Sequence, residues 1–188
     1  MKKLVLGTIA AAMVATSGLA ADYTLKFSHV VSPNTPKGKA ADFFEKRLEE
    51  LSGGKIDVQV YRASQLYTDS AVVKSLRLNS VQMAAPSFSN FCKIVPNLAI
   101  FDLPFLFKDI DHLHRVQDGE VGTKLKDMVT AKGIVALDFW DNGFKQLSSS
   151  KKALIEPADA EGQKFRIMSS KVLEAQFHAV NANQQMML

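Results

Sequence analysis

Thr24-Leu25-Lys26-Phe27-Ser28-His29 and, after one helical stretch, Ile56-Asp57-Val58-Gln59-Val60 decide the fold. In the first run Leu25, Phe27 and His29 share one face, and Thr24, Lys26 and Ser28 share the other. That period of two is the mark of a strand. Ile56, Val58 and Val60 repeat it. Between the two runs Ala40, Phe44, Leu48 and Leu51 recur at near-helical spacing. Thr35 can cap that helix, and Pro36 can take its first position, where a missing N–H costs nothing. Gly53-Gly54 supplies the C-terminal stop. Residues 24–61 therefore predict a strand–helix–strand unit, which favours parallel strands joined by a right-handed crossover.

Outward from this unit the pattern repeats, with a helix near 69–79 and a strand at 81–85. After Phe101–Phe107 come helical stretches near 109–117 and 119–132, then Gly133 as a cap and an apolar strand at 134–140. This is an α/β arrangement on a mainly parallel sheet. Asp141-Asn142-Gly143 marks a turn before an extended segment at Phe144–Ser149. A loop around Glu156-Pro157-Ala158-Asp159 leads to a short strand at Lys164–Met168 and a helix from about Ser170. The expected organisation is a first α/β lobe over residues 21–145 and the beginning of a second lobe over 146–188. One strand and one helix cannot cover both faces of a sheet. The second lobe is therefore expected to be incomplete, and mobile or unusually docked against the first.

The N-terminus sets the expected compartment. Met1-Lys2-Lys3 is a short positive segment, Leu4 to Met13 is apolar apart from Gly7 and Thr8, and Gly18 and Ala20 are small. Residues 1–20 thus read as a secretory signal peptide, with cleavage before Ala21. The apolar core falls short of the ~20 residues that span a bilayer, so stable membrane insertion is not expected. Removing residues 1–20 takes away two lysines and no acid, and lowers the net charge from +4 to +2. So small an excess gives no electrostatic case for nucleic acid. Cys92 is the single cysteine, which excludes an intramolecular disulfide and leaves stability to the core. It lies among Phe91, Ile94 and Val95 and reads as a small buried hydrophobe.

No enzyme signature emerges. His112 and His114 are two apart, which on a helix sends them to different faces and makes a poor metal pair. Cys–His pairs of metal spacing, glycine-rich phosphate loops and Gly-x-Ser-x-Gly are all absent from the sequence. Nothing calls for a cofactor or a metal. Ser148-Ser149-Ser150 reads as a polar connector. Arg166 stands apart, because in Lys164-Phe165-Arg166-Ile167-Met168 it sits on a short strand opposite Phe165 and Ile167. Its planar fork suits a carboxylate bidentately, although an internal ion pair or a solvent-facing side chain gives the same pattern.

The chain resembles a known family through a series of segments. They are Leu25-Lys26-Phe27-Ser28-His29, Pro36-Lys37-Gly38, Ser52-Gly53-Gly54-Lys55-Ile56 and Ala63-Ser64-Gln65-Leu66. Further along come Leu103-Pro104-Phe105-Leu106-Phe107, Trp140-Asp141-Asn142-Gly143-Phe144-Lys145 and Gly162-Gln163-Lys164-Phe165-Arg166-Ile167-Met168. In this order they resemble the extracytoplasmic solute receptors of tripartite ATP-independent periplasmic (TRAP) transporters, especially the C4-dicarboxylate type. The resemblance implies a periplasmic-binding-protein-like receptor with two α/β lobes. Such a receptor closes on a small organic acid in the periplasm and delivers it to the membrane subunits of a TRAP transporter.

It also implies that Arg166 pairs with the ligand carboxylate and that Lys145 adds a second positive charge. His29, Val30, Ser87 and Phe88 match cleft-lining positions, and Trp140 and Phe88 suit either the ligand's apolar body or ordinary core packing. Tyr67 and Asn79 stand where the family usually has glycine. Asn181 and Gln184 replace the glycine and proline of a turn that, in related receptors, leads into the rest of both lobes. A truncated remnant with weak or no ligand binding is the alternative expectation.

Overall fold

A computed structural model describes residues 21–186; the expected signal peptide lies outside the described residues. Strand β1 (Tyr23–Ser28) is central, between β2 (Ile56–Tyr61) and β3 (Met83–Ala84), and all three are parallel in the order β2-β1-β3. The register sets Leu25 against Val58 and Phe27 against Val60, so the alternating apolar residues of both strands fall on one face. Phe27, fully buried, and Val58 pack with Ala41 of helix α1 (Pro36–Leu51), and Phe44 and Leu48 close the edge. Burying one such phenylalanine stabilises by about 1.5–3 kcal/mol.

The start of α1 follows the sequence reading. Thr35 Oγ1 accepts a hydrogen bond from Gly38 N at 3.1 Å. Gly38 is packed so tightly that any Cβ there would run into the Ser32 carbonyl and Pro33. The loop Ser32-Pro33-Asn34 can fold back over the helix only because position 38 has no side chain.

A larger cluster lies beside this sheet, with Val72 and Val73 of α2 (Asp69–Arg77), Val81, and Leu125 and Val129 of α4 (Glu120–Thr130). Two 3-10 turns, Phe88–Phe91 and Pro96–Asp102, add Phe91 and Leu98 to it. Helix α3 (Ile110–Asp118) begins on Asp109, whose carboxylate accepts from His112 N at 2.7 Å.

Two expectations change. Residues 134–140 form no strand. Ile134, Ala136 and Phe139 pack on the larger cluster, while Val135 and Leu137 are 71% and 66% exposed. The segment keeps a strand's alternation, but it packs through its side chains and pairs with neither edge of the sheet β2-β1-β3. The second change is an added strand. The expected single strand and helix are β4 (Lys164–Ile167) and α5 (Lys171–Ala179), and β5 (Asn183–Met186) follows and pairs parallel with β4. The result is a complete strand–helix–strand unit, with Phe165, Ile167, Leu173, Phe177 and Ala182 buried together. Asn183-Gln184-Gln185-Met186 has no apolar alternation, so its strand character comes from pairing rather than pattern.

Asn79 and Asn181 have φ of 54° and 52°. Asparagine enters the left-handed region at lower cost than other non-glycine residues, which explains how it replaces glycine at both turns. Tyr67 has no positive φ, so that turn does not require glycine at all.

Candidate functional site

The carboxyl ends of the parallel strands bring several chemistry-bearing residues together. In open parallel sheets these ends are where ligands bind. His29 follows β1 directly and is 2% exposed. Its backbone is tied down, with its N–H donating to Tyr61 O at 3.0 Å and its carbonyl accepting from Ser64 N at 3.1 Å. Both ring nitrogens and the neighbouring Ser28 hydroxyl are buried without a hydrogen-bond partner among the described residues. Orphaned polar atoms of this kind are uncommon and call for an explanation. Burial lowers the imidazole below its ordinary range, and the positive charges of Lys37 and Arg62 lower it further.

Lys37 reaches over from α1 and donates to Ala85 O, just beyond β3. Burial pushes its ammonium below the usual lysine range, while Asp69 opposes the shift. Asp69 opens α2 and accepts from Ser87 N at 3.3 Å, so the turn after β3 is pinned to the start of α2. Ser87 Oγ lies 3.4 Å from Ser89 Oγ.

Across from these residues stands Arg166. The alternation of β4 buries Phe165 and Ile167 and exposes Lys164 and Arg166. Arg166 makes no ion pair and no side-chain hydrogen bond among the described residues. With Asp69, Ser70, Asn90, Met168, Ser169 and Met186 it lines a small cavity of about 30 Å³. That is room for a water or two, at the ≳10–15 Å³ each requires, and not for an organic acid. The Asn90 side-chain nitrogen is buried without a partner among the described residues.

Lys145 is engaged elsewhere. Its Nζ donates to Asp102 Oδ1 at 2.8 Å and lies 3.4 Å from Phe101 O. Both Asp102 oxygens also accept from Ser89 Oγ, at 3.0 and 2.9 Å. The Phe88 ring packs tilted against Phe101 and edge-to-face against Phe139, at 4.8 and 5.5 Å between centroids; it belongs to an aromatic cluster and does not line the cavity. Trp140 is 37% exposed and sits 6.4 Å from the Phe27 ring. Val30 is half-buried beside His29. Cys92 is half-buried, and burial together with Asp102 raises its thiol above the ordinary value. His112 and His114 lie on α3, where His114 pairs with Asp141.

The structure thus puts Arg166 and Asp69 in one cavity lining and ties Asp69 to Ser87; His29 follows β1 and is held to Tyr61 and Ser64. Lys145 and Phe88 stand apart. Asp69, Asn90 and Ser169 were missed by the sequence reading. Asp69 looks like an ordinary helix-start acid, and no spacing marks Asn90 or Ser169. As an ensemble the cavity offers a guanidinium fork, a free amide donor, two hydroxyls, one carboxylate and two thioether walls. The fork and the donors suit a carboxylate chemically, in a space that as it stands takes only water. Among the described residues no helix is long and apolar enough to cross a membrane.

Residues 27–187 match the family described as bacterial extracellular solute-binding protein, family 7. The C4-dicarboxylate-binding periplasmic protein DctP of Rhodobacter capsulatus is 46% identical over 185 residues, 98% of this chain and 55% of that protein. A TRAP periplasmic solute binding protein from Sulfurospirillum deleyianum, solved with bound succinate, is 61% identical with a TM-score of 0.86; the match covers 89% of this chain and 54% of that one. Another from Pseudomonas aeruginosa, solved with bound L-malate, is 45% identical with a TM-score of 0.83, covering 88% of this chain and 57% of that one. The chain spans about half the length of the relatives it matches.

Proposed function

The chain belongs to the bacterial extracellular solute-binding proteins of family 7, and from that premise we propose that it serves in periplasmic capture of a short carboxylic acid for a TRAP-type transporter. Four-carbon dicarboxylates are the leading class, since similar proteins carry succinate and L-malate. The activity is binding and release, with no bond made or broken. Secretion by the segment at residues 1–20 places it in the periplasm, where the transporter's membrane subunits are its partners.

One observation carries this reading. Arg166 lines the cavity with no ion pair of its own among the described residues. Arginine held without an internal partner, beside apolar thioethers, suits a carboxylate fork to fork. In this reading Ser87 is tied to the cavity through Asp69, and His29 and Val30 at the end of β1 are further cleft residues. In the same reading Trp140, 37% exposed, offers apolar surface, Phe88 stays in its own aromatic cluster, and the positive charge of Lys145 is shared with Asp102.

A second reading has its own observation. The cavity's volume of about 30 Å³ does not admit an acid without widening, which favours weak or absent binding by these residues alone. Calorimetric titration of the 188-residue chain with succinate, L-malate and a neutral diol decides between them. Saturable heat with the acids and none with the diol supports capture. Absence of heat with every acid ends the receptor reading for this chain.

A further inference from the structure

We propose that Asn142 is a site of self-modification, where the backbone nitrogen of Gly143 displaces the side-chain amide and leaves an aspartyl or isoaspartyl residue. Asn142-Gly143 is the one Asn-Gly pair in the sequence, and it lies in a stretch without helix or strand. The reaction needs a Gly143 N–H that is unbound and an Asn142 carboxamide that is free to turn onto it. Gly143 N makes no hydrogen bond among the described residues. Asn142 is exposed, and its side chain makes none either. Gly143 has a φ of 90°, with nothing within 4 Å of where a Cβ would stand, so no side chain and no neighbour crowds the attacking nitrogen.

In the first step Gly143 N gives up its proton and bonds to Asn142 Cγ; the Cγ–Nδ2 bond breaks, and ammonia leaves with that proton. The product is a cyclic imide. Water then opens the ring, at Cγ to give aspartate or at the main-chain carbonyl to give isoaspartate. The net change is an amide exchanged for a carboxylate, and water is the only co-reactant. Asn79-Ser80 has the opposite setting. Ser80 N donates to Ser75 O at 2.9 Å, and Asn79 Oδ1 accepts from Gln82 Nε2 at 3.2 Å, so both reacting groups are held. At position 142 the new charge falls between two anchors of the connecting stretch: Asp141, which accepts from Gln117 Nε2 at 3.0 Å, and Lys145, bound to Asp102. The isoaspartyl form routes the main chain through the side-chain carbon and lengthens the stretch between them.

The test is peptide mapping by mass spectrometry of the full chain, aged in warm, mildly alkaline buffer both folded and in urea. Labelling with a protein isoaspartyl methyltransferase gives an independent reading of the isoaspartyl product. In the folded chain Asn142 should convert at least about fivefold faster than Asn79, whose hydrogen bonds must first break. In urea Asn79 should speed up by about that factor, while Asn142, already free, should change by less than about twofold. An Asn142 that stays intact in the folded chain, whether or not it converts in urea, overturns the proposal. So does a folded chain in which Asn79 reacts as fast as Asn142.

Discussion

Lys145 Nζ sits 2.8 Å from Asp102 Oδ1, and the Asp102 side chain is 2% exposed while that of Lys145 is 51% exposed. A buried acid is thus neutralised by a half-exposed lysine and by the Ser89 hydroxyl, which contacts both of its oxygens. Removing Lys145 leaves that acid in a desolvated place with one neutral donor. Lys145→Ala should lower unfolding stability by about 1–3 kcal/mol, measured by urea denaturation. Lys145→Ala with Asp102→Asn should recover part of the loss. A Lys145→Ala chain as stable as its parent, with a large loss of acid affinity, would instead make Lys145 a ligand residue.

Arg166 predicts the opposite pairing of effects. It is exposed on β4 and carries no internal partner among the described residues, so Arg166→Ala should leave the melting temperature within a degree or two. Affinity for a carboxylate should drop by about 2–5 kcal/mol. Arg166→Lys should fall between, because lysine keeps the charge and loses the fork. Thermal melts alongside titrations check both halves.

His29 makes stability depend on pH. Its folded-state pKa lies below the ordinary value of 6.5 because of burial, then Lys37 and Arg62. Above 6.5 the imidazole is neutral in both states and no penalty arises. As pH falls below 6.5 the unfolded chain takes up the proton first, so stability declines until the folded-state value is passed. His29→Leu should flatten this part of the curve between pH 7 and 5. Equal slopes for parent and variant in denaturation at several pH values would contradict it.

Asp159 acts in a lower window. Its carboxylate accepts from the backbone N–H groups of Glu156 and Ile155 and from Lys152, and its pKa is lowered to about 2. A depressed acid stabilises the fold above its unfolded value of 3.8 and loses that contribution as pH falls toward 2. Asp159→Ala should loosen the loop before β4. Faster hydrogen exchange at Ile155 and Glu156 in the variant is the expected sign.

At Asn79 the φ of 54° sets a backbone test. Asn79→Gly should change stability by less than about 1 kcal/mol, whereas Asn79→Val should cost about 1–2 kcal/mol through the Cβ clash in the left-handed region. Denaturation midpoints with unchanged m-values would register both.

The three-stranded sheet was legible because Leu25, Phe27, Val58 and Val60 write the period of two directly, and the cap at Thr35 writes the start of α1. Other features depend on neighbours distant in sequence. The run at 134–140 is as apolar as any strand, yet lacks a pairing partner. Gln184 and Gln185 form a strand because Phe165 and Arg166 lie alongside them. Arg166 was visible as an arginine out of place on its strand. Asp69 and Asn90 were not, since only the fold brings them opposite β4. Lys145 was singled out by the family resemblance, and its pairing with Asp102, 43 residues away in sequence, was not legible.

The solitary state of Arg166 bears on speed as well as strength. If an anion is captured there, it need displace no internal acid among the described residues, so the encounter has no exchange step and its rate is set by diffusion and charge attraction. Such an on-rate falls as ionic strength screens the guanidinium. At Lys145 an anion must compete with Asp102 for the same ammonium, so the two cations differ in kinetic access: one is open to solution traffic and the other is already occupied.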